Sequence, residues 1–174
     1  METCHFHHKN ILTFKNSDDT PLRVFDDVDH MNEHMVYCHN RVVKPTDKVY
    51  FIGDVSMSRN AKGLEILGRM NGEKVLIKGN HDLANANQYL QYFKDIRGSH
   101  QFDVIILTHI PIHPESLSRW KVNVHGHLHA NRVKTEAGHI DERYQSVCME
   151  QLEDYTPISL EQMKSRMRKA GLIS

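Results

Sequence analysis

The sequence has few cysteines, no excess of charge of either sign and no long hydrophobic run. Three cysteines (Cys4, Cys38 and Cys148) in 174 residues are too few, and odd in number, for a disulfide framework. We therefore expect a reducing, cytoplasmic compartment, and the polar, histidine-bearing start of the chain does not resemble a signal peptide. Lys+Arg and Asp+Glu number 22 each, which makes nucleic acid a possible but disfavoured partner. Apolar runs such as Val104–Leu107 are far shorter than the roughly 18 residues that span a bilayer, so we expect no membrane partner.

What the sequence does contain in unusual number is histidine, with 14 in the chain. The length is that of one ordinary domain. No repeat, low-complexity tract or linker divides the sequence, so we interpret residues 1–174 as a single domain. The question that the composition raises is where the histidines lie.

Four apolar runs predict β-strands, and each is followed by polar residues that can bind a metal. The runs are Val49–Ile52 before Gly53-Asp54, Val75–Ile77 before the segment 78–82, Val104–Leu107 before His109, and Val122–Val124 before the segment 125–129. Continuous apolar strands of this kind are buried on both faces. Ligands of layered α/β proteins bind at the carboxyl ends of the strands. The four strand ends therefore predict one shared site.

Helical segments are predicted between and after these strands. Apolar residues recur with helical spacing over 28–42, and Asp26 or Asp27 is the expected N-cap of this helix. A shorter helix is predicted over 64–70. Near the end of the chain, Ser159 and the glutamine three residues later form a capping box that predicts a last helix. Strands that alternate with helices indicate a layered α/β fold.

Six polar residues are candidate metal ligands: His5, Asp54, Asn80, His109, His127 and His129. Imidazole nitrogens with carboxylate or amide oxygens suit Mn, Fe, Co, Ni and Zn. A single ion would not use so many ligands, whereas two ions about 3.5–4 Å apart and bridged by one carboxylate would. In an extended segment His127 and His129 would share a face and point toward neighbouring ions.

The order and spacing of these residues resemble the motifs of calcineurin-like metallophosphoesterases. The matching motifs are Gly53-Asp54, Gly79-Asn80-His81-Asp82, the isolated His109 and Gly126-His127-Leu128-His129. The segments 5–11 and 156–160 are similar to the corresponding segments of small bacterial and bacteriophage members. The resemblance covers nearly the whole chain. It implies an αββα sandwich of two mixed β-sheets flanked by helices.

The resemblance also implies how the ligands are divided between two divalent ions. Asp54 would bridge both ions, Asn80, His109 and His127 would complete one site, and His5 and His129 would serve the other. We expect Mn²⁺ at these sites, with Fe, Zn, Ni or Co as alternatives. The implied reaction is in-line attack of a metal-bound hydroxide on phosphorus.

Two further residues, His81 and Asp82, are candidate catalytic residues by the same resemblance. His81 would face the phosphate without binding metal, and would stabilise the transition state or protonate the leaving oxygen. Asp82 would orient the ring of His81.

The sequence departs from the family pattern at Thr3. Members of the family have an aspartate ligand two residues before the histidine that corresponds to His5, and Thr3 stands there in this sequence. Glu2 is the nearest carboxylate, but in an extended segment it points opposite to His5, and Cys4 shares that face. We therefore expect the site of His5 and His129 to bind its ion more weakly than the other site.

We expect the protein to be an enzyme, a metal-dependent phosphoric ester hydrolase. The 29 positions from Asn80 to His109 and the 18 from His109 to His127 leave no room for a cap domain. An open centre favours a phosphodiester of nucleotide or cyclic-nucleotide type. Phosphomonoesterase, protein phosphatase and nuclease activities are the alternatives within hydrolysis. From another class, the protein could be a non-catalytic metal-binding module, because the first aspartate is missing. Neither the natural substrate nor the oligomeric state is fixed by the sequence.

Overall fold

The chain is a mixed α/β protein with two β-sheets, in a computed structural model that describes residues 1–58 and 61–174. The first sheet is parallel and has the order β1 (Lys48–Phe51), β2 (Glu73–Ile77), β3 (Asp95–Arg97). The second sheet has the order β4 (Ser99–Phe102), β5 (Ile105–Thr108), β6 (Val122–His125), β7 (Tyr144–Ser146). Strand β4 is antiparallel to β5, and the other neighbours in this sheet are parallel.

Few helices accompany the sheets. The α-helices are α1 (Val28–Val42), α2 (Ala86–Tyr89) and α3 (Leu160–Lys169), and 3₁₀ helices cover Lys9–Thr13, Ala61–Arg69, Pro114–Ser118, Met149–Gln151 and Glu153–Tyr155. Asp27 caps α1 by accepting a hydrogen bond from the backbone N–H of His30 at 2.7 Å. Ser159 and Gln162 form the predicted capping box of α3. The predicted helix over 64–70 is present as part of the 3₁₀ helix.

One hydrophobic cluster joins both sheets to the two longer helices. Phe51 of β1, Leu107 of β5, Met35 of α1 and Met163 of α3 are fully buried members of it. Strands β1, β2, β5 and β6 are the four predicted apolar runs, and each is found within two residues of its predicted bounds at either end. Burial on both faces fixes the position of each strand, and it thereby fixes the loops that follow.

The N-terminal segment runs between the two sheets. Glu2 forms a parallel bridge with Phe51 of the first sheet, and Thr3 forms one with Cys148, which follows β7 of the second. The backbone N–H of His5 donates to the carbonyl of Asp54 at 2.9 Å. This pairing brings His5 alongside the loop that follows β1.

No helix within the described ranges is long and apolar enough to cross a membrane.

Candidate metal centre

The loops that follow β1, β2, β5 and β6 carry the candidate ligands. The first two strands are parallel neighbours in one sheet, and the last two are parallel neighbours in the other. The carboxyl ends of parallel strands meet at one edge of a sheet, where α/β proteins bind their ligands. The topology therefore brings the strand ends together in pairs, and contacts of His109 with Asp54 and Asn80 join the two edges.

Asp54 and His109 lie at the centre of this site. The two side chains are buried, with the Nε2 atom of His109 3.1 Å from Oδ2 of Asp54. The same Nε2 atom is 3.0 Å from Oδ1 of Asn80. Nδ1 of His109 is 2.8 Å from the carbonyl of Ile52 and donates its proton there. That bond fixes the tautomer with the proton on Nδ1. Nε2 therefore presents a lone pair to the Asp54 and Asn80 oxygens, which are themselves only hydrogen-bond acceptors.

An arrangement of this kind needs a cation or a proton between the three atoms. Burial lowers the pKa of His109, but contact with the Asp54 carboxylate more than offsets this effect, and the pKa lies above its usual value. Burial works against ionisation of Asp54, yet His109 and His5 hold its pKa well below the usual range. A proton on Nε2 therefore takes the position that a metal ion would take.

His127 completes a group that could hold a metal ion. One ligand atom each from Asp54, His109 and His127 lie within 4.8 Å of one another. The rings of His109 and His127 are 5.2 Å apart. Two imidazoles, one carboxylate and the amide oxygen of Asn80 form a donor set suited to a divalent transition metal. The residues present therefore fit an ion at this position.

His5 and His129 lie on the other side of Asp54. Nε2 of His5 is 3.5 Å from Oδ2 of Asp54, and the rings of His5 and His129 are 4.6 Å apart. Burial lowers the pKa of His5 to about 4, so the ring is neutral near pH 7. Its Nδ1 atom is buried and has no hydrogen-bond partner among the residues that the structure describes. The two histidines and the shared Asp54 oxygen are compatible with a second ion.

The two histidines of the Gly126–His129 motif reach opposite sides of Asp54 by a turn. The segment is not extended, because β6 ends at His125 and both His127 and His129 have left-handed backbone angles, φ 67° and φ 51°. His127 faces His109, whereas His129 faces His5. The separation comes from the turn and not from the alternation of a strand.

No carboxylate from positions 2 to 4 faces His5. The hydroxyl of Thr3 donates to the carbonyl of Ile52 at 3.2 Å. The carboxylate of Glu2 is fully buried 2.6 Å from Nδ1 of His39 on α1, and it accepts a hydrogen bond from the thiol of Cys4. Glu2 therefore lies on the opposite face, as the alternation predicted, and does not replace the missing aspartate.

Glu150 is a residue of the site that the sequence analysis missed. Its Oε1 atom is 3.0 Å from Nδ1 of His129 and accepts a hydrogen bond from Nε of the buried Arg23 at 2.9 Å. Burial would raise the pKa of Glu150, but His129 and Arg23 lower it to about 2. Because Nδ1 of His129 is engaged, Nε2 is the ring atom left for a metal. No motif signals its role, since Glu150 lies in a short 3₁₀ helix outside every motif.

Asp82 has a different set of contacts from the one predicted. Its carboxylate accepts hydrogen bonds from the backbone N–H groups of Asp54, Val55 and Gly79 at 2.9, 3.0 and 2.7 Å. Neither oxygen hydrogen-bonds the ring of His81, so the expected orienting contact is absent from this structure. Asp82 instead joins the loop after β1 to the loop after β2. It acts as a positioning residue for Asp54.

His81 lies at the solvent side of the site with its side chain exposed. Its backbone N–H donates to Oδ1 of Asp54 at 2.8 Å, which leaves Oδ2 to face the histidines. The neighbouring Gly79 is required here, because a Cβ atom at that position would overlap the Asp54 carboxylate. The two loops are thus in direct contact.

Strained backbone is concentrated at the candidate ligands. Nine non-glycine residues in the described part of the chain have positive φ, and four of them are His5, Asp54, His127 and His129. Such conformations are uncommon for residues with a side chain and cluster at functional sites. The strain is an independent indication that this edge of the sheets is functional.

The chain is similar to known proteins both in sequence and in structure. No family model matches the chain. The uncharacterized protein MJ1445 of Methanocaldococcus jannaschii is 32% identical over 173 residues, which cover 97% of this chain and 90% of the relative. The crystal structure of AQ665, a protein of unknown function from Aquifex aeolicus, matches with a TM-score of 0.69 and 25% identity, over 95% of this chain and 96% of that one.

Proposed function

The chain belongs to the same family as MJ1445, and we propose that it is a metal-dependent phosphoesterase of the calcineurin-like type. In this proposal the two sheets and their helices form the αββα sandwich of that superfamily. One observation carries the proposal. Oδ2 of Asp54 and Oδ1 of Asn80 both lie within hydrogen-bond distance of Nε2 of His109, on loops that follow the carboxyl ends of parallel strands.

Two divalent ions bound here would neutralise charge on the phosphoryl oxygens and lower the pKa of a bound water. The first ion would be held by Asp54, Asn80, His109 and His127. The hydrogen bond from His109 to the carbonyl of Ile52 keeps the ring in the tautomer that can bind this ion. The second would be held by Asp54, His5 and His129, and Glu150 keeps the ring of His129 in place. Mn²⁺ is the ion that we expect at both positions.

His81 is the residue that we assign to the phosphate. Its exposed side chain is outside the proposed ligand set, and it directly follows Asn80 in the loop after β2. An imidazole at this position can donate a hydrogen bond to a phosphoryl oxygen and pass a proton from a ring nitrogen to the leaving oxygen. Neither role requires contact with the ions. Asp82 supports the reaction indirectly, because it holds the loop of Asp54.

An open site favours phosphodiesters over small monoesters. Asn80 and His81 are exposed and His127 and His129 are half-buried, so the ligands are reached directly from solvent. Between Asn80 and His109 the described chain forms only α2 and strands β3 to β5, and between His109 and His127 only a 3₁₀ helix and β6. These short elements leave room for a substrate with groups on both sides of the phosphate. A nucleotide or cyclic-nucleotide diester is therefore the substrate class that we propose.

Hydrolysis of chromogenic substrates tests the proposal. Protein stripped with a chelator and reloaded with Mn²⁺ should hydrolyse bis(p-nitrophenyl) phosphate, with a higher kcat/KM than for p-nitrophenyl phosphate. Asp54→Ala should lose the activity, and Asp26→Ala, which alters an exposed surface carboxylate, should retain it. Hydrolysis of neither substrate by protein that contains its full metal would overturn the proposal in favour of a metal-binding module. A preference for the monoester would overturn the substrate class alone.

A further inference from the structure

A second cluster of metal-binding side chains shares no residue with the centre at Asp54. It consists of His34 and Cys38 on α1 and Asp154 in the 3₁₀ helix Glu153–Tyr155. Residues four apart on a helix lie on one face, one above the other. Cys38 is buried, His34 is half-buried and the side chain of Asp154 is 53% exposed. The cluster therefore runs from the interior to the surface.

The two distances from His34 to the other members of the cluster match those between ligands of a tetrahedral zinc ion. Nε2 of His34 is 3.3 Å from Sγ of Cys38 and 3.5 Å from Oδ1 of Asp154, and all three ligand atoms lie within 4.8 Å of one another. Bond lengths of about 2.0–2.1 Å to nitrogen or oxygen and about 2.3 Å to sulfur give tetrahedral edges of about 3.3–3.6 Å. The three atoms can bind one ion with little movement.

The surroundings hold each ligand in place. Phe25 and Tyr155 pack against the ring of His34, with ring centroids 5.4 and 5.8 Å away. Arg41 donates to Oδ2 of Asp154 at 3.1 Å, which leaves Oδ1 directed at His34. These contacts orient the ring and the carboxylate in the way that outer contacts orient ligands in metal sites.

The backbone around Asp154 is strained in the same way as at the first centre. Asp154 and Tyr155 are consecutive residues with φ of 47° and 51°. This turn directs Asp154 toward α1, where its Oδ1 meets His34. Together with the four ligands named above, Asp154 makes five of the nine positive-φ non-glycine residues in the described chain members of the two clusters, and Tyr155, a sixth, packs against His34. Residues with backbone strain of this kind cluster at functional sites.

We propose that His34, Cys38 and Asp154 bind one zinc-type divalent cation, with water in the fourth position. A thiolate, an imidazole and a carboxylate suit zinc better than manganese or magnesium. The ion would join α1 to the segment that directly follows Glu150, the residue that holds His129. Its role would be to fix this segment and not to catalyse.

Cobalt binding tests this site separately from the proposed function. Co²⁺ is added to metal-free protein and the absorption band of thiolate-to-cobalt charge transfer is recorded. The first centre contains no cysteine ligand, so only the second can produce this band. Wild-type protein and Asp54→Ala should both show it, and Cys38→Ser should lose it together with one equivalent of bound cobalt. Cys148→Ser, at another buried cysteine, is the matched control and should keep the band.

A surface variant provides a second test of the site if Cys38→Ser does not fold. Asp154→Asn removes the charge from an exposed side chain, and circular dichroism checks that the fold is retained. We expect its affinity for Co²⁺, measured by titration of the same band, to fall by at least the roughly 10–100-fold that loss of an outer contact costs. Absence of the band in wild-type protein, its persistence in folded Cys38→Ser, or an unchanged affinity in Asp154→Asn would overturn the proposal. None of these results depends on phosphoesterase activity.

Discussion

The carboxylate of Asp82 accepts a hydrogen bond from the backbone N–H of Asp54 at 2.9 Å. Asp54 is the residue that we propose bridges both ions, and it has a left-handed backbone conformation with φ of 51°. Hydrogen bonds to a charged acceptor are among the stronger ones in proteins. A buried side chain from the next loop thus stabilises a strained ligand, and the two loops act as a unit.

Replacement of Asp82 should affect stability and metal binding together. In Asp82→Ala three backbone N–H groups lose their acceptor, and each hydrogen bond to a charged group contributes about 1.5–3 kcal/mol. We expect a lower free energy of unfolding in urea for the metal-free variant and weaker Mn²⁺ binding. Unchanged stability with only kcat reduced would instead support the role of orienting His81.

Asp54→Ala should abolish metal binding at both positions, because Oδ2 of Asp54 faces His109 on one side and His5 on the other. Elemental analysis after dialysis measures the metal content. Asp26→Ala is the control for loss of a surface carboxylate. Full metal content in Asp54→Ala would contradict the bridging assignment.

His81→Ala should lower kcat and leave metal content intact. General acid–base groups contribute about 10²–10⁴-fold to the rate, and the ring of His81 is exposed outside the ligand set. Steady-state kinetics and metal analysis on the same sample separate the two quantities. His139→Ala removes another exposed histidine and should change neither. Loss of metal in His81→Ala would make this residue a ligand.

The two positions should hold their ions with unequal affinity. No carboxylate at positions 2 to 4 faces His5, whereas the group of Asp54, Asn80, His109 and His127 is complete. We expect one Mn²⁺ to remain after dialysis and the other to be restored only by excess metal, with activity following the second. The affinities are measured by titration calorimetry on Cys38→Ser, so that the cluster of His34, Cys38 and Asp154 does not contribute to the number of ions bound. Two ions of equal affinity would contradict this prediction.

Restoring a carboxylate at position 3 should strengthen the weak position. Thr3→Asp has a side chain of similar size and adds a charge beside His5, and Thr3→Asn is the uncharged control of the same shape. We expect the weaker Kd for Mn²⁺ to fall in Thr3→Asp and not in Thr3→Asn. The same fall in both variants would show that charge is not the missing element.

Much of the fold could be predicted because its central elements carry strong local signals. Helix α1 begins at its capping aspartate, and α3 begins at its capping box, as their sequences indicate. Strands β3, β4 and β7 were not predicted, since they are three or four residues long and largely polar. Their pairing depends on neighbouring strands and not on their own composition.

The residues of the candidate site could also be predicted from the sequence, whereas the contacts that support them could not. Glycine-flanked motifs indicated which residues meet, and the structure brings His5, Asp54, Asn80, His109, His127 and His129 together. The contacts that support them were out of reach, because they join distant positions. Glu150 is 127 residues from Arg23, and the bonds of Asp82 are to backbone groups, which no residue type reveals.

The left-handed backbone at the ligands has a consequence for mutational tolerance. Asparagine, aspartate, histidine and glycine adopt positive φ more readily than other residues, and β-branched residues avoid it. In a library screened only for folding, valine, isoleucine and threonine should therefore be depleted at positions 5, 54, 127 and 129, even without metal. Part of the motif is thus maintained by backbone geometry, and a relative that kept the turns but lost catalysis would still retain much of the same pattern.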